Sequence, residues 1–148
     1  MARPSSPSGS RVALYLRRST ESHQEESLDT QRTGATEYCK ARGWIIVDEF
    51  VDDAVSRAEF KKRPGLIRML NRARDKAFEL VVLRDESRLG GDTYRTGLVI
   101  QDLADAGVGI VFYWTDELVS IDTAVDKFLV AARNFASELE REKISQRT

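Results

Sequence analysis

Val12-Ala-Leu-Tyr-Leu-Arg-Arg-Ser-Thr20 starts as a short run of apolar side chains and turns polar without transition at Arg17. A run of that length bounded by a polar loop is the pattern of a strand buried on both faces of a parallel sheet. The pattern recurs along the chain. Trp44-Ile-Ile-Val47 with Phe50-Val51 precedes a polar stretch from Asp52 to Lys62, Leu80-Val-Val-Leu83 precedes Arg84 to Gly91, and Gly109 to Trp114 supplies a fourth strand. Helical signals fill the intervals. Leu28 to Arg42 has Asp29 or Thr30 near its start and Gly43 past its end, and Thr93 to Ala106 is closed by Gly107. Between them, Pro64 opens a stripe of Leu66, Ile67, Met69, Leu70, Ala73 and Ala77. Strands alternating with helices predict an α/β fold, a central and mostly parallel sheet flanked by helices, with ligand groups on the loops after strand ends. Those loops hold Ser19, Asp52 and Arg88.

The two ends read differently from this body, which spans residues 11–122. Residues 1–10, with Pro4, Pro7 and Gly9, read as a flexible leader without the apolar core of a signal peptide. From Thr123, apolar residues at Val125, Phe128, Leu129, Ala132, Phe135, Ala136 and Leu139 keep a helical period that runs on into the charged residues 140–148. A helix over 123–148 would be ~39 Å long, against a radius of gyration of about 15 Å for a body of this size. It is expected to outreach its own domain and to serve assembly or contact with a further partner.

Composition narrows the chemistry. The 148 residues are 41% hydrophobic and 32% charged, enough for one domain with a core that needs no staples. Cys39 and His23 are each the only residue of their type, which excludes disulfides and paired-His metal sites within this chain. With no apolar run long enough to cross a membrane, a cytoplasmic protein is expected. The net charge of −1 excludes a broadly basic binder of nucleic acid, so any such contact is local. Arg makes up 17 of the 23 basic residues, and its planar fork grips phosphate oxygens in pairs. Arg57, Lys61, Lys62, Arg63, Arg68, Arg72 and Arg74 form a basic stretch suited to a polyanion, or else a solvated face balanced by acidic neighbours.

No glycine-rich phosphate loop is present, so a nucleotide cofactor has no support. What remains is arginines around one hydroxyl: Arg17 and Ser19 two residues apart, Arg63 opening a helix, and Arg88 after the third strand. Residues two apart in an extended segment face the same way, with Tyr15 beneath them. A serine hydroxyl without a positioned histidine needs electrostatic help, and guanidinium groups that hold phosphodiester oxygens supply it.

The strings that carry this chemistry resemble the serine recombinases, the resolvase/invertase family, and most of all the large serine recombinases or integrases of phages and mobile elements. Tyr15-Leu-Arg-Arg-Ser-Thr20 with Ser27-Leu-Asp-Thr-Gln31 is similar to the family's nucleophile motif. Asp52-Asp-Ala-Val-Ser56 leading to Arg63-Pro-Gly-Leu66, Asp85-Glu-Ser-Arg-Leu-Gly90, and residues 138–148 match later motifs in order. The resemblance implies that Ser19 attacks a DNA phosphodiester to form a 5′-phosphoserine link and release a 3′-hydroxyl. It implies that Arg17, Arg63 and Arg88 hold the phosphate, that Tyr15 and Gln31 support them, and that Asp52 and Asp85 orient arginines or manage the leaving-group proton. It further implies no metal or other cofactor, double-stranded DNA as partner, and self-association as a dimer and then a tetramer. The helix over 123–148 would mediate that assembly, Arg141 and Arg147 would meet the DNA, and a DNA-binding domain would follow outside this chain.

Two positions depart from the family pattern. Gly91 stands where a second arginine is usual, leaving Arg57, Arg84 or Arg95 as substitutes, and Ser56-Arg57 stands in place of Ser-Gly. Gly91 leaves open a non-catalytic DNA-architecture module of the same fold. A small-molecule phosphotransfer or nucleotide-binding domain is the other alternative, which the missing phosphate loop disfavours.

Overall fold

The computed structural model describes residues 4, 6–18, 26–53, 63–89, 93–119 and 139–143. Strands β1 (Arg11–Arg18), β2 (Ile45–Asp53), β3 (Leu80–Leu83), β4 (Gly109–Phe112) and β5 (Glu117–Val119) form one sheet in the order β2-β1-β3-β4-β5. The first four are parallel and β5 returns antiparallel to β4. Helices α1 (Leu28–Ala41), α2 (Pro64–Arg74) and α3 (Thr93–Asp105) cover the sheet, and a short 3-10 turn, Glu86–Arg88, follows β3. In this order the chain leaves β1 toward one side and β3 toward the other. The crevice beyond their carboxyl ends is therefore the switch point at which open α/β sheets bind ligands.

Burial on both faces explains the apolar strand runs. Val12, Leu14, Leu80, Val82 and Val111 face α1 with Ala35, Cys39 and Trp44, while Ala13, Tyr15, Val81, Leu83 and Ile110 face α2 and α3 with Leu66, Met69, Ile100 and Leu103. Burial pushes the Cys39 thiol up to about 11, so this cysteine behaves as a small apolar side chain. On α2 the buried stripe is Leu66, Met69 and Ala73, whereas Ile67 is exposed.

Several boundaries differ from the sequence reading. β1 continues through Arg17 and Arg18 because β2 lies in register beside it, Arg17 opposite Asp52 and Arg18 opposite Asp53, with Arg18 Nε 3.1 Å from Asp53 Oδ1. Asp52 accordingly belongs to a strand and not to the loop after it. α1 is capped by Ser27, whose hydroxyl accepts from Thr30 N at 3.1 Å, in place of Asp29 or Thr30. α2 ends before Ala77, since Lys76 adopts a left-handed φ of 61°. β5 was not legible as a strand. It follows a turn in which Asp116, at φ 54°, accepts from Tyr38 Oη at 2.5 Å and Arg42 Nη2 at 2.8 Å.

β2 forms one edge of the sheet and carries a bulge, because Val12 pairs with Ile46 and Ala13 with Asp48, leaving Val47 as the extra residue. Ile45, Ile46 and Val47 are exposed there. The helix expected over 123–148 lies outside the described residues except for 139–143, which are helical and exposed.

Candidate active site

The carboxyl end of β1 supplies Tyr15 and Arg17 to the α2 side of the sheet, and the end of β2 supplies Asp52. Asp52 is buried, and both of its oxygens are used. Oδ1 accepts from Gly65 N at 2.8 Å, and Oδ2 accepts from Leu66 N at 2.9 Å and from Tyr15 Oη at 2.7 Å. The carboxylate thus caps α2, whose own N-cap residue, Arg63, has no side-chain acceptor for the first turn. Burial raises the pKa of the Tyr15 phenol, opposed by the Arg63 charge and reinforced by Asp52, so the hydroxyl stays a proton donor.

This cap requires α2 to press its first turn against β2. A Cβ on Gly65 would lie 2.6 Å from the Val51 carbonyl oxygen and 3.0 Å from Asp52 Cγ. Gly65→Ala is therefore expected to push the turn outward, strain the Asp52 bonds and destabilise the fold by about 1–3 kcal/mol. Denaturant titration would read this as a lower midpoint at unchanged slope; an unaltered midpoint would show that the turn has room.

Arg63 is fully buried and donates from Nε and Nη2 to Tyr15 Oη at 3.2 and 2.8 Å. Its Nη2 also donates to the Arg88 carbonyl oxygen. Arg17, likewise buried, donates from Nη2 to the Ser87 carbonyl oxygen at 2.8 Å. The 3-10 turn is thus gripped through consecutive carbonyls by two arginines, and its last residue, Arg88, is the third buried guanidinium. Gln31, also buried, fixes the end of β1 from the α1 side: Nε2 donates to Arg17 O at 3.0 Å and to Glu26 O at 2.9 Å. Among the described residues, the buried charged side chains are Arg17, Arg63, Arg88 and Asp52. A site built this way favours an anion with several oxygens, because buried cations are stabilised by opposite charge and directed hydrogen bonds.

Asp85 caps the 3-10 turn. Its Oδ1 accepts from Ser87 N at 3.0 Å and from the Ser87 hydroxyl, and Oδ2 accepts from Arg84 Nη1. Burial opposes its ionisation, but hydrogen bonds from Ser87 and Arg84 and the charge of Arg88 outweigh it and hold the carboxyl below its ordinary pKa.

Tyr15, Arg17, Gln31, Asp52, Arg63 and Arg88 are therefore linked in one place, with Asp85 at the foot of the Arg88 turn. Ser19, Gly91, Arg57 and Arg147 lie outside the described residues. Arg141 is exposed on the 139–143 helical segment. Arg84, weighed as a substitute for an arginine at 91, is engaged by Asp85 and Glu26. On the basic stretch, Arg72 and Arg74 have acidic neighbours in Asp75 and Asp102 at 4.0 and 3.7 Å. The sequence reading missed Gly65 and Glu26. The Asp85-x-Ser87 spacing was the local sign of a capped turn; for Glu26 no local sign exists.

Residues 12–148 match the family described as "Resolvase, N terminal domain". No curated protein matches the chain. Among solved structures, the N-terminal catalytic domain of TP901-1 integrase is similar at 28% identity and TM-score 0.71, covering 89% of this chain and 97% of that one. A resolvase family site-specific recombinase from Streptococcus pneumoniae aligns at 23% identity and TM-score 0.67, covering 93% and 91%. The C-terminal catalytic domain of ISC1926 TnpA, an IS607-like serine recombinase, aligns at 21% and 0.61, covering 87% and 84%; these last two bear on the fold alone.

Proposed function

The chain belongs to the resolvase N-terminal domain family, the catalytic domain of serine recombinases, and from that premise we propose that it cuts and rejoins double-stranded DNA through Ser19. The observation that carries this reading is the convergence of Arg17, Arg63 and Arg88, from three separate segments, on the switch point of the sheet. In the proposed step the Ser19 oxygen attacks phosphorus and loses its proton, the Ser–O–P bond forms, and the bond from phosphorus to the 3′-oxygen breaks. The departing 3′-oxygen takes a proton. Rejoining is the same exchange run backwards with a new 3′-hydroxyl, so one phosphoester bond is made for each one lost and no nucleotide is consumed.

Arg17, Arg63 and Arg88 hold the non-bridging oxygens in this reading and stabilise the charge that grows on them. Tyr15, Gln31 and Asp52 keep those arginines in place, and Asp85 holds the turn that carries Arg88. Cutting both strands of two sites needs four hydroxyls, hence a dimer on each duplex and a tetramer across two. The helix over 123–148, with Arg141 and Arg147, is the proposed assembly and DNA-contacting arm.

The test is covalent capture. Duplexes tiled across the DNA flanking the gene, nicked so that the cleaved fragment diffuses away, should yield a protein–DNA adduct that survives denaturant. Nuclease digestion and mass spectrometry should place the residual nucleotide on Ser19. Attachment elsewhere, or duplex binding without any adduct, would replace the enzyme reading with that of an assembly module.

A further inference from the structure

The arginines of the candidate site are held by a second layer of contacts that closes on itself. Arg84, the first residue after β3, donates from Nη1 to Asp85 and from Nε to Glu26 Oε2 at 3.0 Å. Asp85 accepts from Ser87, whose carbonyl accepts from Arg17 Nη2 at 2.8 Å. In the other direction, the Glu26 carbonyl accepts from Gln31 Nε2 at 2.9 Å, and the same nitrogen donates to Arg17 O at 3.0 Å. Arg84, Asp85, Ser87, Arg17, Gln31 and Glu26 therefore form a ring. It joins the end of β1, the approach to α1 and the turn after β3.

The remaining face of Arg84 is also occupied. Its guanidinium carbon lies 4.1 Å from the centroid of the Trp114 ring, and its carbonyl accepts from Trp114 N at 3.2 Å. This brings the turn after β4 into the same assembly. A planar cation with donors on two edges can lie flat on an indole and serve two carboxylates at once, which an ammonium group cannot do. Arg84 keeps a fifth of its side chain exposed, so it is not simply filling the core.

We infer that Arg84 is a positioning residue of the phosphodiester site: it closes a ring that fixes the Arg17 guanidinium and the Arg88 turn relative to each other. The inference rests on the recombinase reading for its effect on rate, but the ring itself does not. Removing Arg84 leaves Asp85 and Glu26 facing each other without their shared cation, so the Ser87–Arg88 turn and the Gln31 contact become free to shift separately. Displacements on the order of 1 Å in a preorganised site cost about a hundredfold in rate.

The test uses the whole protein and an Arg84→Ala variant. On a suicide duplex at saturating concentration, single-turnover adduct formation should slow by about 10- to 100-fold, with duplex affinity held within about threefold and cooperative unfolding retained. Guanidinium chloride at low millimolar concentration should restore part of the rate, because the vacated space lies between two carboxylates and an indole. Sodium chloride at equal ionic strength should not. Arg84→Lys should recover less than added guanidinium does, and it carries the test if the alanine variant fails to fold. A variant that matches the wild-type rate, or one that guanidinium does not rescue, overturns the inference.

A readout without DNA separates this from failure of the recombinase reading. In the free protein, Arg84→Ala should shift the Arg17 Nε–H resonance and lower hydrogen-exchange protection at Ser87 and Arg88. If the wild type forms no adduct but these shifts occur, the ring stands and the enzyme reading falls. If adducts form and the resonances stay in place, the ring is not what positions Arg17.

Discussion

Arg63→Ala should lose at least 100- to 1,000-fold in the rate of strand cleavage, the range expected when one donor to a developing oxyanion is removed from a preorganised site. The expectation rests on where the side chain is and on what it holds. Arg63 is fully buried, anchors on the Tyr15 hydroxyl through two nitrogens, and reaches the carbonyl of Arg88. The substitution thus removes one guanidinium and also releases the turn that carries another. The cavity and the loss of the bonds to Tyr15 and to the Arg88 carbonyl would add a stability loss of about 2–4 kcal/mol. Arg63→Lys is no conservative change here, because an ammonium cannot serve the hydroxyl and the carbonyl from the two edges of one plane. Single-turnover cleavage, with denaturant unfolding of the same samples, separates the two effects. A folded Arg63→Ala protein that cleaves within threefold of wild type would remove Arg63 from the chemistry.

The second large effect is on folding. Asp52→Ala should cost about 3–5 kcal/mol, because it strands buried donors that now share one carboxylate. Those donors are Gly65 N, Leu66 N and Tyr15 Oη, and Asp52 itself is 2% exposed. Asp52→Asn should cost less, about 1–3 kcal/mol, since an amide keeps one acceptor oxygen and must point its NH2 at a remaining donor. The expected pattern is a graded fall in denaturation midpoint, alanine below asparagine below wild type. Loss of less than 1 kcal/mol for the alanine variant would mean that solvent replaces the carboxylate at the start of α2. Both results bear on one design: a strand-end carboxylate caps the helix that presents Arg63.

The apolar runs of β1 to β4 were legible because strands covered on both faces have no polar alternation to disguise them. The polar ends of β1 and β2 were not. Arg17 and Arg18 read as loop until Asp52 and Asp53 are set beside them by parallel pairing. β5 is three residues long, and the Asp116 turn that starts it is fixed by Tyr38 and Arg42 of another element. For the site, the residues themselves marked Arg17, Arg63 and Arg88 with Tyr15, the family resemblance added Gln31 and Asp52, and these six lie together in the structure. Asp85, expected to orient arginines or manage the leaving-group proton, caps the turn that carries Arg88 and accepts from Arg84. The pairing of Arg84 with Glu26 spans 58 residues of sequence and leaves no periodic or local trace. Ser19 and most of 123–148 lie outside the described residues.

The outer margin of β2 bears on how copies of this domain avoid sticking to one another. Three exposed aliphatic side chains on a strand with no outer neighbour among the described residues would ordinarily invite a second sheet to zip on. Here the additional residue at Val47, the third of β2, throws the peptide groups out of step near the start of the margin, and Asp48 and Glu49 follow at once. A second molecule approaching edge to edge meets mismatched carbonyls and the Asp48 carboxylate, so pairing between copies along this margin is disfavoured.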